Sequence, residues 1–207
     1  MHLTRADHQK KVVRTLSAAQ VLNGVGVTGT VAAGSLLVAS ISNSEALAGL
    51  AQTTSVMGAA AMALPLAKLT QRGGRRLALS VGYGVGVVGA VLAILGGTHK
   101  ILFLMLAGAF LVGAASASGY QARFAAIDLA TPEHRSKNLS IVVWGSTVGA
   151  VTGPNLMQPS GNFAEFIGLP RLVGPYFIAA SSLMLAIIVI QIFLKPDPYL
   201  TANVAAD

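Results

Sequence analysis

The chain has 207 residues and a mass of 21.1 kDa; 54% of its residues are hydrophobic and only 10% are charged. Soluble domains carry roughly 25% charged residues, so this composition excludes an ordinary soluble enzyme, and its apolar content excludes a disordered chain. There is no cysteine, hence no disulfide framework or thiolate metal site, and the net charge of +7 sits in short clusters between apolar runs, a pattern of membrane orientation rather than of a nucleic-acid face.

A helix needs about 20 apolar residues to cross a hydrocarbon core of roughly 30 Å. Six stretches qualify, at about 16–41, 46–70, 77–97, 101–127, 138–158 and 173–194. The polar stretch from Met1 to Arg14 leads into an apolar run too long for the core of a signal peptide. That first run carries Gly24, Gly26, Gly29 and Gly34 among Asn23, Thr28 and Thr30. The third and sixth runs are the most apolar. The first, second, fourth and fifth are rich in Gly, Ala, Ser and Thr, which let helix backbones approach closely inside a membrane. None alternates with the period of a barrel strand. The expected fold class is an all-α integral membrane protein, a bundle of six transmembrane helices.

Basic residues orient the bundle. Arg5, Lys10, Lys11 and Arg14 precede the first run; Lys68, Arg72, Arg75 and Arg76 lie around the connection from the second to the third; Arg123, Arg135 and Lys137 lie around the connection from the fourth to the fifth; Lys195 follows the sixth. Only Lys100 and Arg171 fall on the other side. The expected organisation is a cytoplasmic segment 1–15, a membrane bundle 16–195 and a cytoplasmic tail 196–207, in a bacterial plasma membrane with both termini cytoplasmic. The longest outer connection, Gln158 to Pro175 with Phe163, Phe166 and Leu169, reads either as a membrane-surface segment or as an ordered loop. The first and fourth runs share a glycine-and-polar texture, the fourth with Gly108, Gly113, Gly119, Ser116, Ser118, Tyr120 and Gln121. They lie three helices apart, as in a three-plus-three inverted repeat.

Three motifs narrow the class further. The loop after the second run reads Ala67-Lys68-Leu69-Thr70-Gln71-Arg72-Gly73-Gly74-Arg75-Arg76. It resembles the G-x-L-A-D-R-x-G-R-R loop of the major facilitator superfamily, with Leu69, Arg72, Gly74, Arg75 and Arg76 matching and Gln71 in place of the aspartate. In the fifth run, Gly149 to Gly153-Pro154 resembles the G-x-x-x-G-P core of that superfamily's proton-driven exporters. Gly145 extends the stripe, and the trailing glycine pair is missing. Asp128 with Pro132 and Arg135 resembles the inner end of the family's fourth helix, although Ala109 stands where an arginine is usual. The chain is similar to the N-terminal six-helix half of a twelve-helix member.

This resemblance implies a secondary transporter that moves a small solute by alternating access, an exporter by its fifth-helix motif. It implies a gate of Gln71, Arg72, Gly74, Arg75, Arg76, Asp128 and Arg135, with Gly149, Gly153 and Pro154 sealing the interface between halves. An arginine fork can hold a carboxylate bidentately; the same arginines also suit a purely topological role against anionic lipid heads. The resemblance places the first and fourth helices along a central cavity, with Gln20, Asn23, Thr28, Tyr120 and Gln121 as candidates and Gln52, Trp144 and Asn155 behind. These residues are polar and uncharged, and no Asp or Glu falls near the middle of a run, where proton carriers usually lie. Polar residues of this kind also serve as helix-to-helix hydrogen bonds.

Nothing catalytic stands out. His2, His8, His99 and His134 lie at ends or in loops, and no phosphate-binding glycine loop or nucleophile elbow is present. No cofactor and no metal is expected. The expected partners are a small-molecule solute, membrane lipid, and a second six-helix half or a second copy of the chain; nucleic acid is not one of them. The competing reading is a non-transporting membrane scaffold or assembly module on the same six-helix frame.

Overall fold

The computed structural model describes residues 5–204; His2 and the outermost ends of the two expected cytoplasmic segments lie outside the described residues. The described residues are almost wholly helical. The long helices are α1 (Arg5–Ser42), α2 (Leu50–Thr98), α3 (Leu102–Ala125), α4 (Arg135–Asn155), α5 (Met157–Phe166) and α6 (Gly174–Phe193), followed by a short α7 (Pro198–Val204). Helix α1 begins well before the apolar run and buries Val12, Val13 and Leu16 in its early turns.

Four helices among the described residues are long and apolar enough to cross a membrane: α1, α2, α3 and α6. Helix α4, rich in Ser, Thr and Gly, is not among them. Helix α2 is one helix in name only. Its 49 residues would run about 74 Å if straight, more than twice a hydrocarbon core. It breaks at Gly74, whose backbone takes φ 81° and ψ 175°.

The contacts on each side of that break run in opposite directions. Before it, Gly58 meets Phe110 and Leu66 lies level with Ser118 across Gly82, so 50–73 ascends alongside α3. After it, Gly82 meets Ser118, Gly89 meets Val112 and Gly96 meets Met105, so 75–98 descends against α3. Helix α3 thus lies against both arms of a hairpin bent at Gly74.

Two buried clusters hold the bundle. One joins Leu16, Leu79, Tyr83, Leu183 and Ile190 toward the Gly74 end; the other joins Leu37, Met105, Val112, Val173 and Tyr176 toward the opposite end. Small residues set the seam between α1 and α4. A methyl on Gly149 would lie 2.5 Å from the Val21 carbonyl oxygen and 2.7 Å from Gly24 Cα, so the two backbones touch there. The first part of the expected outer connection is helical, α5, which buries Ser160, Gly161 and Ala164 and exposes Phe163 and Phe166.

Candidate functional site

The chemistry gathers at the Gly74 end. With ψ near 180° at positive φ, residue 74 occupies a region open essentially to glycine alone, and this turns the chain back on itself. The arm 75–98 therefore starts a new helix with unsatisfied amide hydrogens. Asp197, just past α6, satisfies them: its carboxylate accepts from the Arg76 amide at 2.7 Å and the Arg75 amide at 3.2 Å. The same carboxylate accepts from the Tyr199 and Leu200 amides at 3.0 and 3.3 Å, so it caps α7 as well. A negative group at two helix N-termini also matches their dipoles.

Arg75 reaches the other way. Its Nε and Nη2 donate to Asp128 Oδ2 and Oδ1 at 2.8 and 3.1 Å, a bidentate fork. Its Nη1 donates to Gln121 Oε1 at 2.9 Å, and its guanidinium lies 5.6 Å from the centre of the Tyr199 ring. The side chains of Arg75 and Asp128 are only 11% and 13% exposed, so water screens the pair weakly. One arginine thereby ties the α2 bend to the end of α3 and to α7. The start of α1 joins the same end: His8 Nε2 lies 3.1 Å from the Pro196 carbonyl oxygen, and Lys11 Nζ donates to the Lys195 carbonyl at 3.0 Å.

Several expected gate residues stand apart from this cluster. Gln71, Arg72 and Arg135 are exposed. Arg76 contributes its backbone amide, and its Nε is buried without a hydrogen bond. Gly149 and Gly153 are covered inside the chain by α1, against Val21, Gly24 and Thr28, so their bare face is already occupied by the chain's own first helix. Pro154 sits at the next-to-last position of α4, is exposed, and lies just before the turn at Leu156 that leads into α5.

The expected cavity residues do not converge on one space. Gln20 and Asn23 are buried where α1 meets Gly119 of α3, and Gln20 Nε2 donates to the Gly119 carbonyl at 3.1 Å, a helix-to-helix bond. Thr28 bonds back to Gly24. Tyr120 stacks under Arg123, Gln121 belongs to the Arg75 cluster, and Trp144 and Asn155 are exposed. Gln52 borders a recess with Ala109 and Tyr176 of only about 10 Å³, roughly one water. Among the described residues no group of three or more His, Asp or Glu is placed to hold a metal.

Asp197 and Tyr199 were missed in the sequence. The available signal was an aspartate followed by proline, the signature of a helix cap with proline at the first helical position.

Comparison with known proteins bears on what this end of the bundle is. The family model described as Major Facilitator Superfamily matches residues 16–206. The chain belongs to the major facilitator superfamily. It is 37% identical over 194 residues to the uncharacterized MFS-type transporter YdeG of Bacillus subtilis, covering 94% of this chain and 45% of that protein. It is 35% identical over 201 residues to the uncharacterized MFS-type transporter YddS of the same organism, covering 96% of this chain and 45% of that protein. The riboflavin transporter RfnT of Brucella anthropi is 28% identical over 155 residues, covering 75% of this chain and 39% of that protein. The chain therefore spans less than half the length of these relatives, which are named as transporters and not as enzymes. No solved structure matches it. Membership in this superfamily and the apolar helices make it an integral membrane protein.

Proposed function

We propose that this chain is the N-terminal half of a secondary transporter, a bundle of six crossings that moves a small uncharged organic solute outward by alternating access. The break of α2 at Gly74 into two opposed arms supports counting it twice. Helix α4 would be the fifth crossing, its polar and glycine-rich face covered by α1. The basic residues favour a cytoplasmic Gly74 end, with segments 1–15 and 196–207 flanking a bundle at 16–195 and α1 and α3 as counterparts in a three-plus-three repeat.

The observation that carries the reading is the bidentate Arg75–Asp128 pair at one end of the bundle. Formed, it holds the cytoplasmic end of α2 against α3; released, it lets that end open. A single bundle supplies one wall of a cavity, so a second half, whether continuous with this sequence in a longer protein, another copy or a separate six-helix chain, supplies the other. The uncharged polar residues of the spans fit an uncharged solute, and riboflavin, carried by one relative according to its name, is the first compound to try. In antiport, Asp128 or the second half would carry the coupling proton.

The test pairs native mass spectrometry of the chain taken gently from its host membrane with solute flux in vesicles. A complex holding a second half, together with saturable outward flux that Arg75→Gln abolishes, is the expected result. A stable assembly with no flux of any solute would favour the scaffold reading, which gains from Gln71 standing where the loop motif has an aspartate.

A further inference from the structure

We propose that the groove between α1 and α6 at the Gly74 end is a binding site for one anionic phospholipid of the adjoining leaflet. The groove encloses about 500 Å³. Its α1 wall presents Asp7, Lys10, Lys11, Arg14, Thr15 and Ala18, with three cations to one carboxylate; its α6 wall presents Val189 and Phe193. The cations and Ala18 share one face of α1, since they recur at intervals of three, four and seven residues. That face is opposite the turns of Val12, Leu16 and Ala19, which are buried in the core, so the groove opens to the outside of the bundle.

Charge and apolarity are separated along the groove. From Lys10 to Ala18 the helix rises about 12 Å, the distance from a lipid phosphate into the upper acyl region. Lys10 and Arg14 are exposed on α1, and on α6 Phe193, 51% exposed, lies two residues before Lys195, with Val189 one turn further from the Gly74 end on the side of Ala18. Lys11 donates to the Lys195 carbonyl, which fixes one cation in place. A free phosphate would satisfy the cations and leave Val189 and Phe193 uncovered. A glycerophospholipid satisfies both ends of the groove. The site shares no side chain with the Arg75–Asp128 pair and needs only that the chain lie in a membrane, so it stands whether or not the chain transports anything.

The experiment is a native mass spectrometry titration of the 207-residue chain in detergent with phosphatidylglycerol, phosphatidylcholine or glycerol phosphate. The wild type should retain one phosphatidylglycerol in preference to phosphatidylcholine, and glycerol phosphate should not displace it. Each exposed cation near an anionic headgroup contributes roughly fivefold in affinity, so Lys10→Gln with Arg14→Gln should weaken retention about 25-fold. A control pair, Lys68→Gln with Lys137→Gln, removes equal charge from exposed sites and should change little. If the first pair fails to fold, Phe193→Ser carries the test by lowering phosphatidylglycerol retention while glycerol phosphate binding stays as weak as before. Equal loss in the control pair, equal retention of phosphatidylcholine, or displacement by glycerol phosphate would each overturn the proposal.

Discussion

Replacing Asp128 by asparagine keeps the shape of the carboxylate and removes its charge. Arg75 would lose one of the two charge-assisted bonds of the fork and keep weaker ones to the new amide and to Gln121. Charge-assisted hydrogen bonds contribute about 1.5–3 kcal/mol each, and breaking a fully buried pair costs about 3–5 kcal/mol. With the partners 11% and 13% exposed, a loss of about 2 kcal/mol is expected. For a chain of this length that corresponds to a fall of about 4–8 °C in Tm. Thermal unfolding of Asp128→Asn, Arg75→Gln and the double variant, followed by circular dichroism in detergent, closes a double-mutant cycle. The two changes should be strongly non-additive, with a coupling of about 2 kcal/mol, because each removes the same interaction. Additivity within about 0.5 kcal/mol would refute the reading of the fork as the tie between α2 and α3.

Gly74→Ala should be more damaging. It places a side chain in a glycine-only conformation and drives Cβ to 2.5 Å from the Asp197 carboxylate, so a loss of about 3 kcal/mol is expected, partly relieved in an Asp197→Ala background, as a paired Tm comparison would register. At the α1–α4 seam, Gly149→Ala meets backbone on the facing helix and should lower Tm by several degrees, whereas Val151→Ala on the exposed side of α4 should leave it nearly unchanged. Arg72→Gln and Arg135→Gln, both exposed, should each shift stability by less than about 0.5 kcal/mol in the same unfolding assay.

The loop motif and Asp128 were legible as a pair because a basic cluster and an acid flank the same connection level, and the structure joins them through Arg75. What remained hidden is how that end is fastened. Asp197 lies 121 residues from Arg76, and no local pattern connects a tail carboxylate to a distant helix N-terminus. The packing of the cavity candidates was hidden for a different reason. Composition shows that Gln20 and Asn23 are polar but not which way they face, and inside an apolar bundle an amide nitrogen can donate to a neighbouring backbone, as Gln20 Nε2 does to Gly119, as readily as to a solute. Likewise the glycines of α4 announced a close contact without naming its partner, and α1 proved to be that partner. Among the described residues apolarity and length single out four helices, and the proposed count of six crossings rests in addition on α2 being folded double and on the more polar α4.

Because the chain has no cysteine, a single introduced thiol reports on one position only. Thr70, 3% exposed and just ahead of the bend, is the place to put it. If the Arg75–Asp128 fork holds this end closed, as proposed, the rate of alkylation of Thr70→Cys in native membranes measures that directly. Labelling should be slow in the otherwise wild-type chain and at least tenfold faster when Asp128→Asn is added. An unchanged rate, with the fold intact by circular dichroism, would contradict the account.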